Sequence, residues 1–257
     1  MLYILKGLIL LVFILVYISV GFILRILTFS SDRIISLWTK FINKIFIRIL
    51  GIRIFLEGNI SYIKEKSNFI ISNHVSYIDG LVLASIFAGI FVSKLSVKSW
   101  PVFGLMTGVG KTIFIDRQNK RKALFSLERI KEVLKNNTNI LIFPEGTSTD
   151  GEKILPFQSI FFEAPLITGS SIIPVTIQYL SINHQKISLL NRDKVFWYGQ
   201  IKFFKHLLDV LKLKNIEVKV IIHPKIETKT FTPSPEARKK LSQFSREIIL
   251  KSFSFVS

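Results

Sequence analysis

The sequence predicts an α/β domain built on a central, largely parallel or mixed sheet flanked by helices, with an N-terminal membrane helix and a basic amphipathic helix ahead of it. Three observations carry this expectation. Residues 7–24 are uncharged and apolar, residues 34–50 interleave apolar and basic positions at helical spacing, and from residue 51 short β-rich runs alternate with helical stretches. The partition that follows is 1–50 as membrane-anchoring helices and 51–257 as one domain, long enough to bury a full-sized core.

The first run, "GLILLVFILVYISVGFIL" (7–24), reaches roughly 27 Å as a helix, enough to span a bilayer. No small-x-small cleavage pattern follows it, which favours a retained helix over a signal peptide. Only Lys6 precedes the run, whereas Arg25, Arg33, Lys40, Lys44, Arg48 and Arg53 follow it. The positive-inside bias then places the bulk of the chain on the cytoplasmic side of an inner membrane. In "IISLWTKFINKIFIRIL" (34–50), Ile34, Trp38, Phe41, Ile42, Ile45 and Ile49 keep helical spacing, and Lys40, Asn43, Lys44 and Arg48 share the other side. Such a helix suits the headgroup region, although a core helix of the main domain would look similar.

Beyond residue 51, "IRIFLE" (52–57), "NFIIS" (68–72), "IFVSKL" (90–95), "KTIFID" (111–116), "NILIF" (139–143), "IIPVTIQYL" (172–180) and "IEVKVII" (216–222) read as strands. Between them "YIDGLVLASIF", "RKALFSLERIKEVLKN" and "QSIFFEAPLIT" read as helices, and a last helix opens on Ser234 as N-cap with Pro235 in its first turn. Alternation of this kind puts functional loops at strand ends.

Composition narrows the chemistry. Lysine and arginine number 35 against 17 acidic residues, a formal charge of +18, which points to an anionic partner such as an acidic membrane surface. No nucleic-acid recognition motif or block of stacking aromatics is present. The absence of cysteine excludes disulfides, thiolate metal sites and a cysteine nucleophile. His184, His206 and His223 lie in separate segments without metal-ligand spacing, and His206 reads as a helix-surface residue. "GLMTGVGKT" (104–112) misses a phosphate-loop motif by one residue between its glycines and leads into a strand rather than a helix. No G-x-S-x-G elbow occurs.

Three polar clusters each follow a strand: "NHVSYID" from Asn73, "DR" at 116–117, and "PEGTSTDG" from Pro144. His74 and Asp79 are five apart, which is about 140° around a helix and on opposite faces of a strand. Only a tight turn brings the two side chains together. His74, Asp79, Asp116, Arg117 and Glu145 could then converge at the edge of the sheet.

With these residues in place, the sequence resembles the glycerolipid acyltransferase family that includes 1-acylglycerol-3-phosphate acyltransferases, over about residues 50–225. Four blocks carry the resemblance in order: "NHVSYID", "GKTIFIDR", "FPEGTST" and "IIPVTI". It implies that His74 is a general base for an acceptor hydroxyl attacking a thioester, with Asp79 orienting the ring. Arg117 would bind the acceptor phosphate, and Glu145, Gly146 and Thr147 would shape the acceptor loop. Pro174, in the fourth block, has no group for proton chemistry. The resemblance further implies membrane lipid as a partner, a lyso-lipid acceptor and an acyl-coenzyme A or acyl carrier protein thioester as co-substrate, with no other cofactor, no metal and no nucleic acid.

Two positions depart from the family pattern. F-P-E-G-T-R-S has an arginine where this chain has Ser148, and L-P-F-K has a lysine where it has Gln158. The leading expectation is transfer to 1-acylglycerol-3-phosphate, giving phosphatidic acid. The alternatives are another lyso-lipid acceptor, such as lyso-ornithine lipid or a lysophospholipid with a larger headgroup, and a non-enzymatic membrane-surface protein.

Overall fold

The computed structural model describes residues 2–100, 103–116 and 120–256. All the expected strands form: Ile52–Gly58 (β1), Phe69–Ser72 (β2), Gly89–Lys94 (β3), Ile113–Ile115 (β4), Asn139–Ile142 (β5), Ile172–Ile182 (β6) and, after the short Gln185–Lys186 (β7), Ile216–Ile222 (β8). They make one eight-stranded sheet in the order β1-β8-β6-β2-β5-β3-β4, with β7 on β6. β2, β5, β3 and β4 run parallel and β6 pairs antiparallel with β8, so the sheet is mixed. "FIIS" and "NILI" are buried at every position, as parallel strands covered on both faces must be. β8 instead alternates buried Ile216, Val218, Val220 and Ile222 with half-buried positions, the period-2 signature of a sheet covered more heavily on one face.

Strand connections run through Tyr77–Ile86 (α3), Phe103–Val109 (α4), Lys120–Lys135 (α5) and Glu163–Thr168 (α6), and the chain continues through Phe203–Lys212 (α7) to Pro235–Ser252 (α8). With the right-handed crossovers expected of parallel strands, this order places α3 and α4 on one face and α5 and α6 on the other, a placement with which the α5–α6 contact agrees. The carboxyl ends of β2 and β5 lie side by side, with Ile71 opposite Ile142. The loops after these two strands carry His74 and Glu145.

The N-terminal helices Leu2–Leu27 (α1) and Asp32–Leu50 (α2) pack on the α3 and α4 face. α1 is long and apolar enough to cross a membrane. It is nonetheless tied to the domain near both ends, because Lys6 donates to the Leu213 carbonyl at 2.7 Å and Arg25 to the Gly108 carbonyl at 2.9 Å. Its outward face stays apolar and exposed, through Leu5, Leu8, Leu15 and Ile26.

α2 differs from the face expected of it. Ile35, Ile42, Phe46, Ile47 and Leu50 are buried, while Ile34 and Phe41 are exposed. The reason is that α2 is packed by α1 and by α3, and the arc between two neighbours is wider and turned relative to a single apolar stripe. At its start Asp32 accepts two 2.6 Å bonds from Arg129 and pairs with Lys111, which fixes the helical hairpin against α5 and the approach to β4.

Candidate active site

The "NHVSYID" segment forms a helix entry. Ser76 is the N-cap of α3, accepting from the Ile78 amide, and Asp79 three residues on accepts from the Ser76 amide at 2.8 Å, completing a capping box. His74 lies two residues before the cap, and the reversal of the chain there folds Asp79 back onto its ring. The His74 Nδ1 to Asp79 Oδ2 distance is 2.9 Å. The same oxygen accepts from the Val75 amide at 2.7 Å, and Asp79 is fully buried.

The His74 backbone is held as firmly as its ring. Its amide donates to Glu145 Oε1 at 2.8 Å, and its carbonyl accepts from the Thr149 amide at 2.9 Å. Glu145 also accepts from the Leu155 amide through Oε2 at 2.7 Å, so it staples the loop after β2 to the loop after β5. Burial pushes its carboxyl up to about 7, against the lowering effect of the Leu155 and His74 amides. Gly146 follows at φ 73, a left-handed conformation that a side chain would strain. The His74 ring stacks on Phe143 at 4.1 Å, which leaves Nε2 as the open ring nitrogen.

That nitrogen borders a cleft of about 300 Å³. His74, Gly146, Thr147 and Ser148 line one end, and the cleft continues past Leu81 and Ala84 of α3 and Phe91 of β3 to Thr39 and Asn43 of α2 and Tyr17 of α1. The N-terminal helices are thus walls of the site. The pair and the cleft together can accept a proton from a hydroxyl at one end and shelter an apolar chain along the rest.

Of the residues singled out in the sequence, His74, Asp79, Glu145, Gly146 and Thr147 converge here. Arg117 lies outside the described residues. Among the described residues lining the cleft, Lys94 is the cation. Pro174 sits in β6 opposite Ile71, a structural position in the sheet. His206 is corrected: it is buried, with Nδ1 3.1 Å from the Tyr77 hydroxyl, because α7 turns its His206 and Val210 side inward beneath the rings of Tyr77 and Phe203. Desolvation there lowers its pKa, which keeps it neutral.

Two contributors were missed. Thr149 holds the His74 carbonyl. Tyr179, at the far end of β6, donates its hydroxyl to Asp79 Oδ1 at 2.8 Å. Burial first, and the charge of Asp79 next, hold this phenol well above its ordinary pKa, so it remains a donor. The signal in the sequence was a tyrosine within the long apolar run "IIPVTIQYL", whose hydroxyl needs a partner once buried. Tyr179→Phe is expected to leave Asp79 Oδ1 unpaired and cost about 1–3 kcal/mol. Thermal melts beside turnover measurements check this, and an unchanged melting temperature would speak against the bond.

Comparison with known proteins identifies the family and the fold. A family model described as Acyltransferase matches residues 53–178. The lyso-ornithine lipid O-acyltransferase of Rhizobium meliloti (strain 1021) is 29% identical over 208 residues, covering 78% of this chain and 70% of the relative. The 1-acyl-sn-glycerol-3-phosphate acyltransferase of Borreliella burgdorferi is 30% identical over 179 residues, covering 68% of this chain and 69% of the relative. The crystal structure of the 1-acyl-sn-glycerophosphate acyltransferase of Thermotoga maritima has the same fold, with a TM-score of 0.61 at 19% identity over 98% of this chain and 99% of that one. With a relative 30% identical that it covers over 69% of that relative's length, the chain belongs to the glycerolipid acyltransferase family.

Proposed function

We propose that the protein moves a fatty acyl group from an acyl thioester, carried on coenzyme A or acyl carrier protein, to the free hydroxyl of a lyso-lipid. The observation that carries this reading is the His74–Asp79 pair at 2.9 Å with Nε2 open at the mouth of an apolar cleft. As the acceptor oxygen attacks the thioester carbonyl, its proton passes to His74 Nε2, and Asp79 stabilises the imidazolium. The tetrahedral intermediate then collapses, the carbon–sulfur bond breaks, and His74 returns the proton to the thiolate. The substrate supplies the nucleophile, so no acyl-enzyme forms.

Residues 1–50 serve as the anchor, with the exposed face of α1 in lipid and residues 51–257 on the cytoplasmic side. They also complete the cleft through Tyr17, Thr39 and Asn43.

For the acceptor, a lyso-ornithine lipid comes first. Ser148 lines the cleft where the family pattern has arginine, and Gln158 turns its amide toward the Glu145 carbonyl at 3.4 Å where the pattern has lysine. Neither offers a positive charge to a phosphate monoester. The second reading is 1-acylglycerol-3-phosphate, favoured by Lys94 in the cleft wall; on it, the "FIDR" block alone assigns Arg117 to the acceptor phosphate.

An assay of the purified protein with both acceptors and one labelled donor decides between them. Lyso-ornithine lipid is expected to be the faster acceptor. Ser148→Arg is expected to raise phosphatidic acid formation by roughly tenfold, the worth of one charge-assisted bond. Faster transfer to 1-acylglycerol-3-phosphate by the unaltered protein would reverse the order.

A further inference from the structure

The inner end of the cleft is polar, which an unsubstituted hydrocarbon chain does not require. Thr39 and Asn43 are one helical turn apart on α2, and both line the cleft opposite Tyr17 of α1. The Tyr17 hydroxyl lies 3.1 Å from Thr39 Oγ1 and 3.3 Å from the Met106 carbonyl, so these two hydroxyls satisfy each other. Asn43 does not close its own set. Its Nδ2 donates to the Thr39 carbonyl at 2.8 Å, which fixes the amide orientation and leaves Oδ1 with no hydrogen-bond partner among the described residues. Yet Asn43 is only 6% exposed, and its neighbours along the cleft include Leu81, Ala84, Phe91 and Met106. Gly110 keeps this end open, since a Cβ there would stand 2.9 Å from the Tyr17 hydroxyl.

A methylene chain laid along this wall would strip Asn43 Oδ1 of water and offer nothing in return, and an unpaired buried acceptor is costly. A hydroxyl on the chain would restore the bond. We propose that the inner end of the cleft is a hydroxyl subsite, in which Asn43 Oδ1 accepts from a hydroxyl group on the acyl chain, so that the preferred donor is a hydroxyacyl thioester. The inference rests on the acyl-transfer reading above and adds the chemical class of the donor. Asn43 acts on specificity and takes no part in proton transfer.

The test uses the full-length purified protein, one fixed lyso-lipid acceptor, and coenzyme A thioesters of equal chain length that are unsubstituted or carry one hydroxyl at successive positions. For one positional isomer, kcat/KM is expected to exceed that of the unsubstituted donor by about tenfold, the value of one buried hydrogen bond. Asn43→Leu is expected to bring that ratio to about one. Asn43→Ser, too short to reach the same hydroxyl, is expected to do likewise. Because each ratio is internal to one variant, a loss of stability does not hide it. A ratio at or below one for every isomer in the unaltered protein would mean a pocket that merely holds water, and would overturn the proposal. A preference that survives both substitutions would overturn it as well. No turnover of any donor would instead remove the transferase reading beneath it.

Discussion

His74→Ala is expected to lower acyl transfer by roughly 10²–10⁴-fold, the range over which a positioned general base acts. The substitution removes the open Nε2 and leaves the neighbourhood in place, because the loop around His74 is held by backbone bonds. Its amide to Glu145 and its carbonyl to Thr149 do not depend on the ring. The variant should therefore fold and associate with membrane as the unaltered protein does, losing the stack on Phe143 and the ring's bond to Asp79, whose Oδ2 keeps the Val75 and Ser76 amides. Turnover with a labelled donor, read beside a melting curve, separates chemistry from folding. Near-normal transfer by a folded variant would end the general-base assignment.

At Asp79, substitution by alanine should cost both activity and stability. Its carboxylate accepts from the His74 ring, the Val75 and Ser76 amides and the Tyr179 hydroxyl, with no solvent exposure. Asp79→Ala leaves these donors without an acceptor, an expected loss of about 3–5 kcal/mol, the cost of removing one partner from a buried, hydrogen-bonded charged group. Transfer should fall about as far as in His74→Ala. The double variant should fall little further, because two groups acting as one unit are strongly non-additive.

Asp79→Asn discriminates charge from geometry. The Val75 and Ser76 amides both point at one oxygen position, so they select the rotamer that keeps the amide oxygen toward the His74 ring. The ring stays oriented, the negative charge is lost, and the new amide NH2 faces the Tyr179 hydroxyl, which must turn from donor to acceptor. The expected result is a smaller fall in transfer, roughly 10²-fold, with most of the stability retained. Denaturant midpoints and turnover numbers across the three variants check this order. Equal loss of stability in the asparagine and alanine variants would show that charge, rather than the hydrogen bonds, holds the turn.

Much of the site was legible because its parts are local. The capping box lies within "SYID", and the five-residue spacing of His74 and Asp79 makes sense only at a helix entry, which the sequence marks with Ser76. The loops after β2 and β5 were legible as strand ends, since "FIIS" and "NILI" are unbroken apolar runs that must stop where polar residues begin. Tyr179 was hidden because it is a hundred residues from Asp79, and β6 is the long strand that overshoots β2 to reach it. His206 was misread because a single histidine on an amphipathic helix carries no mark of which face turns inward.

By itself the sequence determined the class of fold, the family, and the turn that brings His74 and Asp79 together, because these depend on hydrophobic period, turn chemistry and short-range spacing. Tertiary structure alone decided that α1 and α2 take part in the site. α1 and α2 bring Tyr17, Thr39 and Asn43 into the same cleft as His74, residues from separate helices that no periodicity connects. The reason is physical: a pattern of apolar positions states that a helix face must be covered, and only the packed chain states by what.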